Sequence, residues 1–407
     1  MPGDDGIVAR DPWIPGLPLV LDDERLTDRV RAGWCGQGPA PIRARVRYLR
    51  YKPGVQILAD LLLTFGSHDR HALLLATSSG AAAKLAKQHR HTLAEGHAVL
   101  AEDRSQFLLV VPAESDRHLP GCHRLTDRIG WLDRSLRKSE LEVLAYKPHR
   151  RLVARVDHQG SPAALLKLHH PAAAGDAITA LRWAAAQRCS RLRLPALREA
   201  DEDAGAVLTD WTPGAALDRQ EPDRQRATLR DVGKQLGRLH QLAPGDLPLR
   251  SHATDPSAIV AGIVRLRPEL AVHAERALRR PAPTSHLVPI HGDLSTDQVV
   301  HGHDGVTLID LDRTGLGSAA ADLASWVAAE LVAGEPGSAS AELPAALWEG
   351  YRSVGGPATE QQVMAELPVQ LLRRAGEPFR LRHGDWHERM EGLVLRAERL
   401  TALAGVP

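Results

Sequence analysis

"HGDLSTDQVVHGHDGVTLIDLDR", residues 291–313, decides how the rest of the chain is read. The preceding "LVPI" (287–290) has the apolar, branched makeup of a short buried strand, and it delivers His291-Gly292-Asp293 at its end. Gly292 permits a tight turn there. Asp293 opens a polar loop, "DLSTDQ", that closes on the amide of Gln298. "QVVHG" then reads as a strand, "HGHDG" as a turn and "VTLID" as the returning strand, with Asp310 at its end. Two short strands joined by a turn bring their loop ends back together, so Asp293, Gln298 and Asp310 are expected to converge. The same tripeptide recurs in "RLRHGDWHER" (380–389), but no strand precedes it and no amide or second acid returns after it. That copy reads as a turn into a helix beginning near Trp386, with Asp385 as its cap.

One carboxylate that can orient a hydroxyl, followed by two hard oxygen donors, suits phosphoryl transfer. The reaction needs a group to orient or deprotonate the acceptor and oxygen ligands for magnesium, which keeps waters and phosphates as the rest of its shell. The segment resembles the catalytic core of the aminoglycoside phosphotransferase and choline-kinase superfamily, relatives of the protein kinases. Their pattern is H-G-D-x-x-x-x-N, strand, turn, strand, I-D, then D-L-A. Here it is met by His291, Gly292, Asp293, Gln298, Ile309, Asp310, Asp322, Leu323 and Ala324. The resemblance implies His291 and Asp293 as catalytic residues, with Asp293 the carboxylate that serves the acceptor. It implies Gln298 and Asp310 as magnesium ligands, and Asp322 as a brace accepting backbone N–H groups of the catalytic loop. Gln298 stands where the family has Asn, with the same donors and acceptors one methylene further out. Maltose kinases and related actinobacterial sugar kinases resemble this chain in carrying Gln there.

The front half contains a repeat. "RARVRYLRYKPGVQILADLLLTFG" (43–66) reads as two strands around a Lys-Pro-Gly turn, followed by the strand "HALLLATS" and the helix "SGAAAKLAKQHRHTLAEG". At 140–156 "ELEVLAYKPHRRLVARV" repeats the hairpin, followed by "SPAALLKLHH" and the helix "DAITALRWAAAQR". Tyr51-Lys52-Pro53 and Tyr146-Lys147-Pro148 lie 95 residues apart, and the first copy has Leu75 where the second has Lys167. In the second copy Lys167 is similar to the strand lysine that holds nucleotide α/β-phosphates in kinases. The turn "YKPHRR" stands where kinases cover the nucleotide. Thr209, Asp210 and Trp211, in "VLTDWTPG", stand where the family's hinge contacts adenine. Asp176 is the only acid in the helix after Lys167. The first copy has no such lysine and reads as a degenerate cap.

From 222 onward the chain is mostly helical, with amphipathic runs at 223–243, 321–334 and 359–376. The fold class implied is α+β, a bilobal protein kinase-like fold. It comprises an arm (1–40, irregular apart from a helical patch at 22–34), a cap subdomain (41–135), a kinase-like β-rich lobe (136–215) and a mainly helical lobe (216–407).

Bulk properties agree with such a protein. Lys+Arg 51 against Asp+Glu 50 leaves a formal net charge of +1, without the basic excess that nucleic-acid binding draws on; only the arginines of 182–198 suggest a local patch. Cys35, Cys122 and Cys189 lie far apart with no zinc spacing. The N-terminal residues lack a signal-peptide pattern, and no apolar run approaches the ~20 residues of a membrane helix. The expectation is a cytoplasmic kinase that uses ATP and Mg2+ and phosphorylates a hydroxyl of a sugar, aminosugar or aminoglycoside-like metabolite. The alternatives are a precursor-peptide Ser/Thr kinase working with a partner lyase and a pseudokinase scaffold. Neither nucleic acid nor membrane is expected as a partner.

Overall fold

The computed structural model describes residues 3–66, 68–127, 129–187, 191–250, 255–279, 286–334 and 342–403; Cys189 lies outside them. Two compact units emerge. The first comprises Met1–Ala174, Glu199–Leu208 and Pro378–His387; the second comprises Gly175–Arg198, Thr209–Glu377 and Glu388–Pro407.

The repeat seen in the sequence produces two five-stranded sheets. β1 (Arg43–Lys52), β2 (Gln56–Phe65), β3 (His68–Thr77), β4 (Ala101–Asp103) and β5 (Leu108–Pro112) form the first, in the order β1-β2-β3-β5-β4. β6 (Glu140–Lys147), β7 (Arg151–His158), β8 (Ser161–His169), β9 (Leu197–Asp201) and β10 (Ala206–Asp210) form the second, in the matching order β6-β7-β8-β10-β9. The opening strand of each carries a bulge, between Val46 and Tyr48 and between Val143 and Ala145. Register makes the likeness residue-specific. Leu58 pairs with Leu75 in the first sheet, and Val153, 95 residues after Leu58, pairs with Lys167 in the second. Leu75 and Lys167 therefore occupy equivalent places on equivalent strands. Apolar residues of both sheets meet in one core, among them Leu58, Leu73, Leu75, Leu109, Tyr146, Leu152, Leu166 and Leu208.

The N-terminal segment is more regular than its composition suggests. Helices Asp4–Arg10, Leu17–Val20 and Asp23–Ala32 bury Ile7, Leu17, Val20, Leu26 and Val30. Its anchors come from distant sequence. Asp4, buried, accepts from Arg382 Nη1 at 3.2 Å and Nη2 at 2.8 Å and from Trp386 Nε1 at 3.0 Å. Asp11 accepts from the Tyr51 hydroxyl and the Gly54 amide, both at 2.8 Å. The second His-Gly-Asp stretch thus lies among residues that hold the chain's beginning in place, and the helix Trp386–Leu403 starts directly after it.

The second unit is mainly helical. Helices Pro222–Leu239, Ala319–Ala333 and Glu360–Arg374 correspond to the three amphipathic runs. Helices Pro222–Leu239 and Ala345–Ser353 touch backbone to backbone: a Cβ on Gly233 would sit 2.0 Å from Leu347 O, and one on Gly350 1.9 Å from Arg230 O. The remaining strands are short: β11 (Ala215–Ala216), β12 (Val288–Ile290), β13 (Val299–Gly302), β14 (Gly305–Leu308) and β15 (Gly315–Gly317). β12 pairs with β15, and β11-β13-β14 form a small antiparallel sheet. No helix among the described residues is long and apolar enough to cross a membrane.

Candidate active site

β12 is buried at all three positions and ends at His291, which is itself fully buried. The chain then turns through Gly292 at φ +85°, where a Cβ would lie 2.2 Å from Arg313 O; only glycine suits both the conformation and the contact. Two backbone amides of this turn point at one side chain. His291 N donates to Asp322 Oδ2 at 2.6 Å and Gly292 N to Asp322 Oδ1 at 2.7 Å. Asp322 also accepts from His240 Nε2 at 3.1 Å. A carboxylate only accepts, so Nε2 carries the proton; His240 Nδ1 lies 2.9 Å from the Tyr351 hydroxyl. Burial opposes the charge of Asp322, yet the bonds and charges of His240, His291 and the Gly292 amide outweigh it and hold its pKa below the ordinary carboxylate value.

The imidazole of His291 fixes the next element. Its Nε2 donates to Ile309 O at 2.7 Å, while its buried Nδ1 has no hydrogen-bond partner among the described residues. Register completes the geometry. Val299 pairs with Leu308, and one step beyond the ladder Ile309 N donates to Gln298 O at 2.9 Å. Gln298 and Ile309 are thus opposite one another, and Asp310 follows immediately. Asp310 adopts the left-handed conformation, φ 62° and ψ 58°, which Asp tolerates better than most residues. Strain of this kind persists where surrounding contacts impose it and gathers at functional sites. Gln298 Nε2 donates to Asp297 Oδ2 at 2.8 Å, which leaves Oε1 as the amide's hard oxygen donor. The donors therefore fit a magnesium ion that completes its shell with water and phosphate. Among the described residues no cluster of three or more His, Cys, Asp or Glu side chains is arranged to hold a metal.

Asp293, 40% exposed, has two cationic neighbours. Arg374 Nη2 donates to its Oδ1 at 2.9 Å, and Arg313 Nη1 lies 3.5 Å from its Oδ2. Arg374 is buried and also bonds Ser325 Oγ at 2.9 Å and Glu377 at 3.3 Å. Burial works against its charge, but Glu377 and Asp293 outweigh this and raise its pKa above the ordinary arginine value. Sequence reasoning did not find Arg374 or His240. Arg374 ends an amphipathic helix as one of two adjacent arginines, and no spacing rule ties it to Asp293.

Other expected residues fall as follows. Lys167 is buried on β8 of the first unit. Asp176, the one acid of the helix Pro171–Ala186, pairs with Arg250 at 2.7 Å. Thr209 is buried, Asp210 faces Arg198 at 3.5 Å, and the chain passes from the first unit to the second at Thr209. Lys147 lies 5.7 Å from the Tyr48 ring centroid. His303 is exposed, whereas His301 Nδ1 lies 3.1 Å from Thr228 Oγ1.

Residues 141–358 match the model of the phosphotransferase enzyme family, more than half of the chain. The chain belongs to that family. The family is one of phosphotransferases, and the chain is β-rich in its first part and mainly helical in its last. Similar solved structures include an aminoglycoside phosphotransferase from Streptomyces rimosus, 20% identical, covering 57% of this chain and 92% of that one with a TM-score of 0.43. A choline/ethanolamine kinase family protein from Mesorhizobium loti is 16% identical, covering 64% and 87% with a TM-score of 0.46. A macrolide 2'-phosphotransferase from Brachybacterium faecium is 17% identical, covering 69% and 99% with a TM-score of 0.45. No curated protein sequence matches the chain.

Proposed function

We propose that this phosphotransferase uses ATP and magnesium to phosphorylate a hydroxyl of a small metabolite of the sugar or aminosugar class. The observation that supports the reading best is the junction at Ile309. It accepts from His291 Nε2 and donates to Gln298 O, tying the Asp293 turn, the Gln298 amide and Asp310 into one hydrogen-bonded unit. Asp293 would accept a hydrogen bond from the acceptor hydroxyl and aim its oxygen. That oxygen bonds to the γ-phosphorus while the bond to the β,γ-bridging oxygen breaks, and the hydroxyl proton passes to Asp293. Arg374 and Arg313 fix its rotation. In a loose transition state the hydroxyl loses its proton late, so positioning is the main thing the carboxylate supplies. Gln298 Oε1 and the Asp310 carboxylate would hold magnesium, which supplies charge neutralisation on the phosphates. Lys167 would hold the nucleotide's α/β-phosphates and Thr209–Trp211 its base. His291 and Asp322 act through the residues they position. The first sheet, with Leu75 where the second has Lys167, serves as a non-catalytic cap, and the cytoplasm is the setting that supplies ATP.

The test is transfer from γ-labelled ATP to a panel of hydroxylated metabolites. Wild type should label an acceptor, and Asp293→Ala should lose labelling by about a hundredfold or more while still being stabilised thermally by ATP. Equal labelling by Asp293→Ala would remove the carboxylate from the mechanism.

A further inference from the structure

The surroundings of Asp293 carry more positive charge than orienting one carboxylate requires. The Gly292 turn packs against the backbone of Arg313, whose side chain, 51% exposed, reaches Asp293. From the end of the helix Glu360–Arg374, Arg374 reaches the same carboxylate. Arg373, beside it, makes no ion pair among the described residues; its Nη1 donates to the neutral Gln370 Oε1 at 3.1 Å. Burial lowers the pKa of Arg373 from its ordinary value, and the charges of Arg313 and Arg374 add to this more than those of Asp293 and Glu377 offset it. Among the described residues, Arg313 is within ion-pair distance of Asp293 alone, Arg374 of Asp293 and Glu377, and Arg373 of no acid. Asp297, whose charge also acts on Arg374, spends its hydrogen bonds on Ser295 and Gln298. Like charges gathered in a half-buried place repel, and a bound anion relieves the repulsion. The planar donor fork of arginine matches phosphate and carboxylate oxygens.

Resting on the reading of Asp293 as the carboxylate that serves the acceptor, we propose that Arg313 and Arg373 form a receptor for an acidic group on that acceptor. The substrate is then a hydroxylated anion, carrying a phosphate or carboxylate near the hydroxyl that is phosphorylated, rather than a polycationic aminoglycoside.

The experiment is calorimetric titration of inorganic phosphate into the full chain saturated with magnesium and a non-hydrolysable ATP analogue. Phosphate should bind, and Arg313→Gln and Arg373→Gln should each weaken it by about tenfold or more, with nucleotide affinity unchanged. Arg373→Lys, which keeps the charge, should fall between. Phosphate affinity equal in wild type and both glutamine variants overturns the proposal. So does phosphate binding seen only without nucleotide, which would assign the arginines to the nucleotide's own γ-phosphate. If the analogue does not bind at all, the kinase reading fails separately, and the same titration of nucleotide-free protein still decides whether the arginines hold an anion.

Discussion

At the scale of single residues, the geometry around Asp293 and Asp322 depends on side chains outside the 291–324 motif. Arg374 is 81 positions from Asp293 and became visible only when the helix Glu360–Arg374 was placed beside the loop. Replacing it with methionine leaves Asp293 with Arg313 as its remaining cation and Glu377 with one partner fewer. We expect Arg374→Met to reduce kcat by about ten- to a hundredfold with a small change in the KM for ATP. Arg374→Lys should recover part of the loss, because it keeps a cation beside Asp293. Gly292 is the second sensitive position. Gly292→Ala must place a Cβ at φ +85° and against Arg313 O, so it should cost about 1–3 kcal/mol or more, measured by urea unfolding. It should also lower activity.

At the scale of elements, legibility followed distance along the chain. The strand, loop and hairpin of 287–310 could be read because their partners are local: alternation, turn residues and the step from Gln298 to Ile309 all lie within one short stretch. The repeated hairpins were legible for the same reason, while β4 and β5 were not, since they are short and β5 is completed by pairing with β3 and β4 by pairing with β5. Of the N-terminal helices, Asp23–Ala32 fell within the patch read at 22–34, while Asp4–Arg10 and Leu17–Val20 escaped, the first anchored through Asp4 to a residue 378 positions away. One element contact has a clear pH signature. The turn between β6 and β7 is held by buried Asp116, which accepts from His149 N and the Tyr146 hydroxyl, both at 2.7 Å. His118 and His149 stack beside it with ring centroids 4.0 Å apart. Burial first, then His149, holds the pKa of His118 down to about 4; burial, then Arg117, holds His149 down to about 3. Both rings are therefore neutral when folded, whereas the unfolded chain takes up protons near pH ~6.5. Below that pH the unfolded state binds more protons, so stability falls as pH drops from ~6.5 toward those folded values, and the loss is absent above ~7. Burial raises the pKa of Asp116, which works in the opposite direction, so the comparison is between proteins: from pH ~7.5 to ~5 the urea midpoint of His149→Gln should fall less than that of wild type. The same pH trend in both proteins would contradict it.

At the scale of the whole molecule, the chain carries two sheets of one design, and only the second has a lysine, Lys167, at the position proposed to hold nucleotide phosphates. Leu75 and Lys167 occupy the same register position, yet Leu75 belongs to the shared apolar core. A duplicated lobe with one lysine should bind one nucleotide per chain, not two. The same economy holds for the two His-Gly-Asp stretches: the one in the second unit has Gln298, Asp310 and Asp322 in its company, and the other, in the first unit, stands beside the anchors of the N-terminal segment. The central claim is that Gln298 and Asp310 hold the metal through which this phosphotransferase engages ATP. Calorimetric titration of ATP into wild type and Asp310→Ala, with and without magnesium, tests it most directly. The account predicts one ATP per chain, tight binding only with magnesium in wild type, and loss of most of that magnesium dependence in Asp310→Ala. Magnesium-dependent binding of the same strength in both proteins would contradict it.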